Sequence, residues 1–102
     1  MAFKDKYDFE HLRNEAEKIV MDELEMQLES FPHKFCTCND CVLDMAAIAL
    51  NTVKPLYRVS LLGSFYTSQA TDPDYISSVR KAVFMAIERI RSNPSHPYTS
   101  EE

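Results

Sequence analysis

Apolar side chains recur at three- and four-residue steps in two stretches of this chain, and each repeat predicts a helix. Over residues 10–31, Leu12, Ala16, Ile19, Val20, Leu24, Leu28 and Phe31 form one stripe, with the acids mostly opposite. Pro32 stops it. Over residues 72–92, Ile76, Val79, Val83, Ala86, Ile87 and Ile90 keep the same spacing. Asp72 is a natural N-cap, Pro73 suits the first helical position, Asp74 adds an acid to the first turn, and Asn93-Pro94 closes the helix. A third stretch, 42–53, is apolar nearly all round and predicts a central buried helix ended by Pro55. From Leu56 to Ser68 the content is β-branched and aromatic, broken at Gly63, and reads as an irregular connection rather than a short hairpin. The expected fold is all-α: one domain over residues 1–102, with an arm (1–9) before three helices and a tail (93–102) after them.

Composition narrows the function. The lone glycine, Gly63, excludes a glycine-rich phosphate loop and a dinucleotide fingerprint, both of which need several. A formal charge of −5 argues against a nucleic-acid-binding surface. No apolar run reaches the ~20 residues of a membrane span, and the N-terminus MAFKDKYDFE lacks a secretory apolar core, so the expected address is cytoplasmic. Acids concentrate on the first helix. Only 32–71 is net basic, with Lys34, Lys54 and Arg58 against Asp40 and Asp44.

All three cysteines fall in Cys36-Thr-Cys38-Asn-Asp-Cys41. An odd count and an expected reducing compartment argue against disulfides. A thioredoxin-like role for Cys38 and Cys41 wants a preceding strand in a βαβ setting, and none is visible. A zinc knuckle fits better. Three thiolates supply most of a tetrahedral site, and the second helix, starting at the last cysteine, offers N–H groups and a positive dipole end to the sulfurs. For the fourth ligand, His96 pins the tail to the knuckle and is favoured; His33 makes the site local; Asp40 or water are the remaining options. His11 reads as solvent-facing. Three thiolates leave zinc a poor Lewis acid, and no acid/base pair stands out, so the site reads as structural rather than catalytic.

The run Cys36-Thr-Cys38-Asn-Asp-Cys41-Val-Leu-Asp44-Met-Ala-Ala-Ile-Ala-Leu50-Asn51, followed by Pro55-Leu-Tyr57, resembles the signature of the late competence development protein ComFB family. The likeness spans roughly residues 14–66. Lys54 stands where the family usually has the first of two prolines, and a further C-terminal cysteine is missing, with His96 in that part of the chain. The resemblance implies a small helical homodimer with one structural zinc per subunit and no catalysis, in a setting of DNA uptake. It also implies an alternative, a receptor for cyclic di-GMP or cyclic di-AMP, for which Lys54, Tyr57 and Arg58 are the candidate contacts: Tyr57 to stack on a base and Arg58 to pair with a phosphate. A half-buried ring beside a solvated charge is the plainer reading of that pair. Asp44 and Asn51, two turns apart, share a face of the second helix. Their plainer roles are dipole compensation and a helix stop.

Overall fold

The computed structural model describes residues 2–31, 35–59 and 72–94. Among them are three α-helices, α1 (Ala16–Ser30), α2 (Asn39–Thr52) and α3 (Pro73–Ser92), and two short strands, β1 (Leu12–Asn14) and β2 (Tyr57–Val59). The expected helical domain is therefore present, with a small antiparallel ribbon added. None of these helices is long and apolar enough to cross a membrane.

The first helix is shorter than its apolar stripe suggests. Phe9–His11 is a 3-10 turn and Leu12–Asn14 is extended, so α1 begins only at Ala16. Long-range pairing overrides the local period: Leu12 lies opposite Val59, Arg13 opposite Arg58 and Asn14 opposite Tyr57. Asn14 marks the change. Its Oδ1 accepts from the Ala16 N–H at 3.1 Å and the Leu56 N–H at 2.8 Å, capping the helix and holding the returning chain. The sequence carried a sign of this, since Asn14 followed three residues later by Glu17 has the spacing of a capping box. At the other end Phe31 is extended (φ −67°, ψ 133°), as expected of a residue preceding proline.

Within the Leu56–Ser68 stretch, Tyr57–Val59 is extended and paired rather than irregular. Tyr57–Val59 pairs with a strand from before α1, and residues 60–71 lie outside the described part.

α2 starts three residues earlier than its apolar run, because Cys38 caps it. The Cys38 backbone is extended (φ −69°, ψ 167°) and its sulfur accepts from the Cys41 N–H at 3.5 Å. Nor is α2 the central buried helix. It buries only Cys41, Met45 and Ala49, while Leu43 stays 58% exposed. The deepest element is α3, which buries Tyr75, Val79, Ala82, Val83, Ala86, Ile87 and Ile90 and packs on both other helices. A core shared by three helices in a small domain gives each of them one inward face, so an all-round apolar helix leaves part of itself in solvent. The local signals of α3 act as read: Asp72 Oδ2 accepts from the Tyr75 N–H at 3.1 Å, Pro73 and Asp74 occupy the first turn, and Asn93 is the C-cap.

Candidate metal centre

Phe31, just past α1, and Phe35, just before the cysteines, are each held by ring contacts. Phe31 meets Phe35 edge-on with ring centroids 5.2 Å apart, and Phe84 of α3 at 5.8 Å. This aromatic contact, with Phe35 half-buried against the core, delivers the backbone to Cys36. From there the chain turns into α2, with Cys38 at the N-cap and Cys41 in the first turn.

The three sulfurs converge. The Sγ atoms of Cys36, Cys38 and Cys41 all lie within 4.8 Å of one another. A tetrahedral zinc with Zn–S near 2.3 Å separates its sulfurs by about 3.8 Å, so a small contraction brings the three onto one ion. Cys41 is fully buried, whereas Cys36 and Cys38 are half-buried, which leaves an approach to the cluster from one side. The donor set suits a soft, tetrahedral divalent metal. The Cys41 N–H that reaches the Cys38 sulfur is the kind of outer contact that supports a bound thiolate, and the helix N-terminus favours the negative charge.

No fourth histidine, cysteine or carboxylate joins this group among the described residues. Asp40 is exposed on α2 and outside it. His33 and His96 lie outside the described residues. His11, expected in a helix and facing solvent, instead closes a 3-10 turn and is half-buried.

The three residues suggested for nucleotide contact do not gather into one site. Tyr57 and Arg58 are successive on β2 and so point to opposite faces. Tyr57 is 63% exposed, beside a cleft of mixed charge lined by Glu10, Glu15 and Glu17 together with Arg13 and Lys18. Arg58 turns inward and pairs with Glu15 at 2.5 Å, neither side chain being more than 27% exposed. Lys54 is exposed, and its backbone carbonyl accepts from the Tyr75 hydroxyl at 2.7 Å. On α2, Asp44 is exposed in the helix rather than capping it, and Asn51 donates back to the Ala47 carbonyl at 3.0 Å. Asn51 is not the stop, since α2 runs on to Thr52.

Comparison with known proteins agrees with the fold. The sequence model of the family described as late competence development protein ComFB matches residues 13–94, well beyond the span of the cysteine motif. No curated protein matches the chain. Among solved structures, the late competence protein ComFB from Bacillus subtilis is similar in fold: TM-score 0.71, 21% identity, 87% of this chain and 98% of that one. The chain belongs to the ComFB family of late competence development proteins.

Proposed function

We propose that this chain is a zinc-stabilised, homodimeric accessory protein of the late-competence type, linked to DNA uptake and with no catalytic chemistry of its own. One observation carries the reading: three cysteine sulfurs within 4.8 Å of one another at the capped start of α2. Zinc there is structural. Three thiolates blunt its Lewis acidity. Metal analysis of protein purified without added zinc tests this, with one zinc per chain expected. A metal-free protein that melts at the same temperature with and without zinc overturns it.

His96 is the proposed fourth ligand. It closes a loop of more than fifty residues onto the knuckle, so its loss releases chain entropy as well as a bond. His96→Ala should then lose zinc to a chromogenic chelator faster than wild type, and His33→Ala should not. The reverse order makes the site local.

The homodimer is supported by apolar surface without a partner. On one face of the ribbon Leu12, Tyr57 and Val59 are 47%, 63% and 49% exposed. Met21, itself 54% exposed, borders both the cleft beside Tyr57 and an apolar groove between α1 and α2. Apolar surface that continuous marks an interface more often than a free surface. The cyclic-dinucleotide reading is the weaker one, because Arg58 is committed to Glu15 and points to the opposite face of β2 from Tyr57.

A further inference from the structure

The arm preceding β1 is built unlike a frayed terminus. Two 3-10 turns, Phe3–Asp5 and Phe9–His11, compact it. They bring Phe3, Tyr7 and Phe9 into one aromatic cluster, with ring centroids 5.0 Å (Phe3–Tyr7), 5.9 Å (Phe3–Phe9) and 6.2 Å (Tyr7–Phe9) apart. Yet this cluster covers none of the core among the described residues. Every residue from Ala2 to Glu10 is exposed, and none belongs to the hydrophobic core or packs against it. Three rings held together at 68%, 55% and 44% exposure form a preshaped apolar knob. Lys4 and Lys6 lie between the first two rings and make no ion pair among the described residues.

A matching hollow lies elsewhere on the same chain. Between α1 and α2, Met21, Leu24, Leu28, Val42, Leu43 and Ala46 line a groove of about 480 Å³. That size is in the range that takes an organic group of several rings. Glu25 and Glu29, one helical turn apart on α1, edge it and are likewise unpaired among the described residues. The arm does not fill this groove on its own molecule, since its rings and Leu43 are exposed together.

We infer that the arm of one copy docks in the α1–α2 groove of a second copy, its aromatic cluster against Met21 and Leu43 and its lysines against Glu25 and Glu29. Knob and groove are complementary in polarity and in charge, and one chain carries both. A two-fold dimer can therefore make the exchange twice. Alternation of Asp5, Asp8 and Glu10 with the two lysines disfavours a membrane or nucleic-acid partner for the same cluster. The inference rests on the dimer reading above and adds which segment reaches across.

The test is photo-cross-linking with benzoylphenylalanine in place of Tyr7, on full-length protein mixed from light and 15N-labelled copies, beside light scattering. Expected are dimers, and cross-linked peptides pairing a light arm with a heavy segment that contains Met21 or Leu43. These links should vanish in Leu43→Glu. Phe3→Ala, Tyr7→Ala and Phe9→Ala together should raise the dimer dissociation constant about tenfold or more, with helical content unchanged because the arm lies outside the core. A monomer at every concentration overturns both the dimer and the exchange. A dimer whose arm links only within its own copy, or away from the groove, overturns the exchange alone and leaves the dimer standing.

Discussion

Cys38 serves two purposes with one sulfur. It is the N-cap acceptor for the Cys41 N–H and one corner of the cysteine cluster. A serine there keeps a good capping oxygen but loses the soft thiolate, whereas alanine loses both. Cys38→Ser should therefore melt like wild type when both are metal-free, yet bind zinc at least about tenfold more weakly. Cys38→Ala should bind as weakly and also cost about 1 kcal/mol of metal-free stability. Thermal melts with and without zinc separate the two effects; equal metal-free losses for serine and alanine would remove the cap from the account. The cluster itself was readable in the sequence because its six-residue span makes convergence a local matter. What could complete it was not, because tertiary structure decides which further side chains approach.

Elements whose ends are written locally came out as read. α3 is the clearest case, with Asp72, Pro73 and Asp74 at one end and Asn93 at the other. β1 was hidden because three extended residues carry no period of their own and Leu12 also fitted the helical stripe of α1. Its signal lay in Asn14, whose side chain serves a helix and a returning strand at once. Asn14→Ala strands two N–H groups, and should cost about 1–3 kcal/mol. That corresponds to a fall of several degrees in the melting temperature; a change below one degree would show that water replaces the amide. Tyr75 plays the corresponding part for α3, its hydroxyl holding the Lys54 carbonyl just past α2. Burial pushes its phenol above the ordinary value of 10.0. The folded state thus holds this proton more tightly than the unfolded chain. Its contribution is complete below pH 10.0 and is lost as pH rises through that value toward the higher folded one. Between pH 9 and 11 wild type should lose melting temperature more steeply than Tyr75→Phe, which itself should cost about 1 kcal/mol at neutral pH. Parallel curves would sink this assignment.

At the scale of the whole molecule, the core and the exposed apolar surface follow from one arithmetic. Three helices share one interior, and α3 takes the largest part of it. Residues that strengthened the reading of α2 as buried, Leu43 above all, were legible as apolar but not as exposed. Periodicity reports that a side chain wants cover and is silent on which molecule provides it.

The pairing of Leu12 with Val59 brings together positions forty-seven apart, and so closes α1, the cysteine turn and α2 into one loop fastened at its neck. Three residues on each side, with Arg58 held by Glu15, are a slight fastening for so long a loop. The molecule accordingly has two grades of permanence. Amides at the neck should exchange with solvent by a small opening that leaves the interior intact, whereas those of Val83, Ala86 and Ile87, all buried, should exchange only when the whole chain comes apart. The arm hangs from the yielding grade, so it can swing without any cost to the core.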